Sequence, residues 1–417
     1  MRGKSPLQGS NHQFTRIKNR AIVLKMICTG TNVSRIDISR QTGLSKMSIS
    51  NIVNELIDAG FVTDQSGIMK NDSIGRNPIS LEPDTNIHRI LGIYISRDYA
   101  IVTLSNLKCE ILIEMKCPFT FDESENTFIE KIRVLTSSIL ASEHTSDKKI
   151  LGIGISCIGP LDTEHGIILE PPNFHKVRSI HIKELLQKEF GYDVHINNDM
   201  NASALVEKLY GRAKNIENFV YIGVTNGIGS GIVANNALFE GDMGFSGEIG
   251  HTTINFDGPK CACGNTGCLE LYASIPEIVD QARNSISLGM SSALRRLDPI
   301  RWQDIVEQAE QGDTLALNLI DRLCLYISVG LISLINMFDP QVIYLGHDIA
   351  LAGELVTKRL EYYIKDKAIS SRYKDIPVEI SAFCDKAPLL GSAAIVLDRM
   401  FSGLNNYGNG IVSSNGV

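Results

Sequence analysis

Residues 251–268 hold His251, Cys261, Cys263 and Cys268, with Gly264 and Gly267 between the last two cysteines. One imidazole and three thiolates make a complete tetrahedral set for a structural zinc ion and leave no open position for water. The spacing constrains the backbone severely. A Cys-x-Cys pair reaches one ion only through a tight turn, and the glycines permit it. The chain has nine cysteines in 417 residues, an odd number and too few for a disulfide framework. The three clustered ones therefore read as metal ligands and the other six as ordinary thiols.

Charge divides the sequence. The net charge of −7 hides 11 basic against 5 acidic residues over positions 1–80, and 29 against 42 over the remainder. The first part attracts nucleic acid while the rest repels it. A basic N-terminal region also occurs in proteins without a DNA partner, so the apolar spacing has to decide. Phe14, Ile17, Ala21, Leu24 and Ile27 recur every three to four residues and predict a helix ending near Gly30. Ser34 caps a second helix that carries Ile36, Ile38 and Ser39 up to Gly43. Ser45 caps a third, with Ile49, Val53, Leu56 and Ile57 on its apolar face, which stops at Gly60.

That is helix-turn-helix spacing. Phe61 and Val62 lead out, and Ile79 and Leu81 return, as a two-stranded wing whose tip holds Gly75, Arg76, Asn77 and Pro78. In such a unit the first residues of the recognition helix face the major groove, which makes Ser45, Lys46, Met47, Ser48, Ser50 and Asn51 the candidate DNA contacts. Arg76 suits a narrow minor groove. The alternative is a helical protein-interaction module whose residues 75–78 are merely a turn.

Residues 1–13 are polar and read as a flexible arm, 14–82 as the winged helix-turn-helix, and 401–417 as a polar tail. Between them ILGIYIS, AIVTLS and ILIEMKC are three successive strands, followed by a helix over 126–142 and a strand at ILGIGIS. Strand and helix then alternate to about residue 398, which predicts an α/β region of two similar lobes over 83–400. A chain 43% hydrophobic and 21% charged has core enough for two or three domains. No uninterrupted apolar run reaches the roughly 20 residues of a bilayer span, and the start MRGKSPLQGSNHQF lacks a signal-like apolar stretch. The expectation is a cytoplasmic protein without a membrane partner.

GEIGH at 247–251 followed by CACGNTGCLE at 261–270 resembles the signature of the ROK family of bacterial repressors and sugar kinases. INNDMNASALVE at 196–207, ISCIGPLD at 155–162, TNGIGSGIV at 225–233 and INMFDPQVIYLG at 335–346 extend the resemblance. It implies an actin-like, hexokinase-type fold with a sugar between the lobes. By the same resemblance Asn198 and Asp199 bond sugar hydroxyls, Asp199 standing where kinases keep a general base. Glu248, His251 and Glu270 complete the polar ring, with one His251 nitrogen on zinc and the other on the sugar, while Gly159 and Asn173 line the cleft. Vicinal hydroxyls pair well with carboxylates and amides, which gives this set a chemical logic of its own.

The resemblance also exposes departures. Where ROK kinases have an Asp-x-Gly-Gly-Thr turn for ATP phosphates, this chain has Tyr94-Ile95-Ser96-Arg97-Asp98, and a Gly-Gly pair near the adenosine has become Gly346-His347. The second phosphate loop, Thr225 to Gly231, is better kept. Phosphoryl transfer depends on positioning and charge neutralisation, so the expectation is a sensor without catalytic residues, with a bifunctional regulator retaining residual kinase activity as the alternative. Control by a protein such as a phosphotransferase component stays open. The resemblance implies a homodimer or homotetramer on a pseudo-palindromic operator, with 323–338 supplying core and interface helices. His175, Lys176 and Arg178 either hold a sugar phosphate or form a solvated basic loop. The identity of the sugar, its phosphorylation and the sign of its effect are not legible.

Overall fold

The computed structural model describes residues 12–64, 80–120, 123–170, 179–365 and 367–403. Three helices come first, His12–Thr29, Arg35–Thr42 and Lys46–Asp58. Their ends follow from local chemistry. Ser34 and Asp37 form a reciprocal capping box, the Asp37 carboxylate accepting from Ser34 N at 3.1 Å. Gly43 closes the same helix in the left-handed region, and Ser45 Oγ accepts from Ser48 N at 3.1 Å to start the third.

Ile38, Ile49, Val53 and Leu56 are buried as the spacing requires, and Ile52 joins them. Phe14 and Ile36 do not: both are exposed, because the first helix begins its core contacts at Ala21 and Ile36 lies on the outer face of a helix only eight residues long. Val62–Asp64 pairs antiparallel with Ser80–Pro83, as a wing should. Val33–Ser34 adds a third strand on the other side of Ser80–Pro83, too short to leave a period-2 signal in the sequence. The wing tip with Arg76, the arm 1–11 and the tail 404–417 lie outside the described residues.

Two five-stranded sheets follow. The first runs in the order Val194–Asn198, Lys149–Cys157, His88–Ile95, Tyr99–Ser105, Ile111–Pro118. The second runs Ala237–Leu238, Ile228–Ala234, Phe219–Val224, Val342–Gly346, Val378–Ile380. Each is an antiparallel three-strand meander extended by two parallel strands, so the lobes repeat one topology. Helices Asp199–Tyr210 and Ala387–Phe401 lie between the sheets. They cross closely at Gly391, where a Cβ would sit 2.5 Å from the Ala202 backbone.

The first helix packs on the end of that crossing pair. Val23, Leu24, Ile27 and Cys28 share one core with Met400, Phe401 and Leu209. The Phe61 ring stacks on His88 with centroids 3.9 Å apart, and His88 Nδ1 lies 3.1 Å from the Gly60 carbonyl oxygen. The winged unit is therefore docked on the two-lobed body through a shared apolar core.

The 323–338 stretch falls in the 25-residue helix Thr314–Phe338. By length and composition this helix is apolar enough to cross a membrane, which corrects the expectation drawn from uninterrupted runs, since Asp321 and Arg322 break the run without breaking the helix. Over half of its most apolar window is buried inside the protein. Leu323, Ile327, Leu331 and Leu334 face the core of the second lobe, while Leu325, Val329 and Met337 are exposed on the opposite face.

Candidate functional site

The strand Val194–Asn198 ends where the helix Asp199–Tyr210 begins, and this junction opens into a cleft of about 360 Å³. Asn198 caps the helix, its Oδ1 accepting from Met200 N at 2.8 Å. Asp199 Oδ1 accepts from the same N–H at 2.9 Å. Gly159 follows the strand Lys149–Cys157 and faces Asn198 and Glu248 across the cleft. Glu248 precedes the short turn Ile249–His251, and Glu270 opens the turn Glu270–Ala273 with its Oε2 accepting from Ile228 N at 3.3 Å. Gly159, Asn198, Asp199, Glu248, His251 and Glu270 thus line one cavity. Asn173 lies outside the described residues, as do His175, Lys176 and Arg178.

Burial, with the Glu248 charge adding to it, pushes the Asp199 carboxyl up to about 7. Burial also raises Glu248, with Glu270 raising it further and His251 opposing them. Such a group of closely spaced carboxylates is unfavourable without a partner, and hydroxyl donors are the partner that would relieve it.

His251 joins the cleft to the cysteine cluster. Its Nδ1 lies 3.7 Å from Cys261 Sγ, and Cys263 Sγ lies 3.7 Å from Cys268 Sγ. A tetrahedral ion with zinc–sulfur bonds of about 2.3 Å would set two sulfurs about 3.8 Å apart. All four ligand atoms fall within 4.8 Å of one another, so the donor set fits zinc in both chemistry and size. The turn needs its glycine: Gly267 has φ of 65°, and a Cβ there would meet the Asn255 carbonyl oxygen at 1.7 Å.

Beyond Asp199 the cleft continues past Tyr94, Ser96 and Asp98 of the altered phosphate turn and past Thr225 and His347, and it takes in Tyr99, Asp348 and Asp385, which sequence reasoning missed. Thr225 Oγ1 donates to Asp348 Oδ2 at 2.5 Å and ties the glycine-rich turn to the end of strand Val342–Gly346. Asp348 adjoins the Gly346-His347 departure, the one signal that could have found it. Tyr99 and Asp385 had none.

The candidate DNA face is open. Ser45, Lys46, Met47, Ser48 and Asn51 are exposed, Ser50 is half-buried, and Met47 is 76% exposed despite its apolar side chain. Ser45 Oγ and Ser48 Oγ lie 2.9 Å apart, so these two hydroxyls are partly committed to the cap.

Comparison with known proteins covers both regions. The ROK family model matches residues 90–399. The xylose repressor of Caldicellulosiruptor bescii is 31% identical over 395 residues, 94% of this chain and 98% of that protein. The xylose repressor of Bacillus subtilis is 30% identical over 392 residues, 94% and 97% of the two chains. Among solved structures, a ROK family transcriptional regulator, homolog of the Escherichia coli Mlc protein, has a TM-score of 0.81 at 29% identity and spans 94% of this chain and 98% of its own. A ROK family glucokinase from Streptomyces griseus, in complex with glucose and AMPPNP, has a TM-score of 0.64 at 26% identity and spans 73% of this chain and 98% of its own. The regulators match nearly the whole length and the kinase only the share expected of the two lobes. The chain belongs to the ROK family.

Proposed function

We propose that this chain is a sugar-responsive DNA-binding transcriptional regulator, a repressor of carbohydrate-utilisation genes. Residues 14–82 serve as the DNA-binding domain and 83–400 as the sugar-binding domain. The observation that carries the reading is the convergence of Asn198, Asp199, Glu248, His251 and Glu270 on one cleft, in a chain that relatives named as repressors match over 94% of its length. Sugar hydroxyls donate to Asp199, Glu248 and Glu270 and accept from Asn198 Nδ2. Zinc held by His251 Nδ1, Cys261, Cys263 and Cys268 would fix the imidazole so that Nε2 faces the sugar, an orienting role of the kind metal sites often share with their neighbours.

Coupling follows the crossing helices. Sugar bound between the lobes favours a closed form, and closure tilts the pair Asp199–Tyr210 and Ala387–Phe401, on whose end the first helix sits. In a homodimer or homotetramer that movement changes the spacing of two recognition helices on a pseudo-palindromic operator. The exposed Leu325, Val329 and Met337 offer an apolar strip to the partner copy. Operator binding places this work in the cytoplasm.

A thermal-shift screen against free sugars and their 6-phosphates tests the reading, because a ligand of the folded state raises its melting temperature. A selective rise, absent in Asp199→Ala, supports it. No rise with any sugar transfers control to a protein partner such as a phosphotransferase component.

Residual kinase activity is the second reading, favoured by the glycine-rich turn from Thr225 to Gly231. Against it stand Tyr94 and Asp98, where phosphates need backbone amides and cations. ADP release from ATP with any sugar would establish it, and none would remove it.

A further inference from the structure

The half of the cleft beyond Asp199 is lined by three carboxylates and one guanidinium, Arg97, with Lys116 Nζ 3.7 Å from the centroid of the Tyr99 ring. Asp98, Asp348 and Asp385 gather round Tyr99, whose phenol is raised by burial and then by the charge of Asp348, Asp385 and Asp98. A nucleotide triphosphate would meet these carboxylates with its own negative charge. Hydroxyl donors would meet acceptors.

A second observation points the same way. His347 lines this half and is 94% buried, being 6% exposed, yet its Nε2 has no hydrogen-bond partner. A buried polar atom left unpaired costs free energy that a ligand can recover. Burial holds the imidazole neutral, with its pKa lowered to about 4, so the ring offers one acceptor and one donor, as a hydroxyl does. The backbone is itself constrained there: His347 has φ of 61°, an uncommon conformation for a residue with a side chain.

We propose that the region occupied by nucleotide in kinase relatives is a second sugar subsite here, built by His347, Asp348, Asp98 and Tyr99, and that the effector is an uncharged disaccharide spanning both halves of the cleft. This rests on the proposed sugar site at Asp199, which takes the first ring. The two subsites belong to one continuous cleft, so one ligand reaches both. Hydroxyls of the second ring donate to the carboxylates, and with a turn of the His347 ring, whose Nε2 is buried as it stands, exchange a hydrogen bond with that nitrogen.

Titration calorimetry on the full-length zinc-loaded protein tests this with xylose against xylobiose, glucose against cellobiose, maltose and isomaltose, glucose 6-phosphate, and AMPPNP with magnesium. The expected result is one disaccharide binding at least tenfold more tightly than its own monosaccharide, with no uptake of glucose 6-phosphate or AMPPNP. His347→Ala should remove that gain while changing monosaccharide affinity less than threefold. Asp98→Ala, on an exposed turn that does not threaten folding, should remove part of it. Monosaccharides binding as tightly as every disaccharide, or AMPPNP binding in this half, would overturn the second subsite and leave the first standing. Absence of all saccharide binding would overturn both.

Discussion

Asp199 concentrates the electrostatic argument. A carboxyl with a folded pKa of about 7, raised from an ordinary value of 3.8, costs the folded state little near pH 4, progressively more as pH rises from 4 to 7, and its full penalty above 7. Asp199→Asn keeps an acceptor for Met200 N and removes the charge. Without sugar it should raise the melting temperature at pH 8 and leave it unchanged near pH 4, and equal effects at both values would refute the assignment. Hydroxyls donated to the carboxylate favour its charged form, so sugar binding near pH 6.5 should release a proton, seen as a buffer-dependent heat in calorimetry. The candidate metal ligands are tested at the same scale. Cys268→Ser should take zinc content from one ion per chain to none and weaken sugar affinity at least tenfold through His251, and an unchanged affinity in the zinc-free protein would break the link between the two sites. The cysteine cluster was legible in its residue types and spacing, and Asp199 only through the resemblance of its motif to the ROK family. Asp348 and Asp385 were not, since an acid far along the chain enters a cleft only through the fold.

The helix ends were the most readable elements, because caps are local. Ser34, Gly43 and Ser45 stand where the sequence puts them, and the wing strands pair as the apolar pattern requires. Ser34→Ala removes the Ser34 Oγ arm of the capping box and keeps the backbone N–H arm to Asp37, and should cost about 1 kcal/mol in denaturant unfolding. A loss near zero would mean that tertiary packing alone holds that helix. The recognition helix gives a sharper contrast. Lys46→Ala and Asn51→Ala change exposed side chains, so each should leave the melting temperature essentially unmoved while weakening operator binding by about 1 to 3 kcal/mol. The two-residue strand Val33–Ser34, the exposure of Phe14 and the buried role of Ile52 escaped prediction for one reason. Each is decided by what packs against the element, and periodicity reports only the element itself.

For the whole molecule, the repeated sheet topology and the crossing helices put the proposed sugar site and the proposed DNA-binding unit at opposite ends of one packed pair of helices. Strand-helix alternation foretold two lobes, but no sequence pattern foretold that the first helix would share a core with Met400 and Phe401. Under the proposed function, that docking would carry a change at Asp199 to the recognition helices through a shared apolar core. It also makes DNA affinity the direct readout of the account. The decisive measurement is fluorescence anisotropy of the full-length protein on a duplex selected by the protein from a random pool, with and without a sugar that raises its melting temperature. The account predicts a change in DNA affinity of at least tenfold at saturating sugar, absent in Asp199→Ala. Equal DNA affinity with and without bound sugar would contradict it.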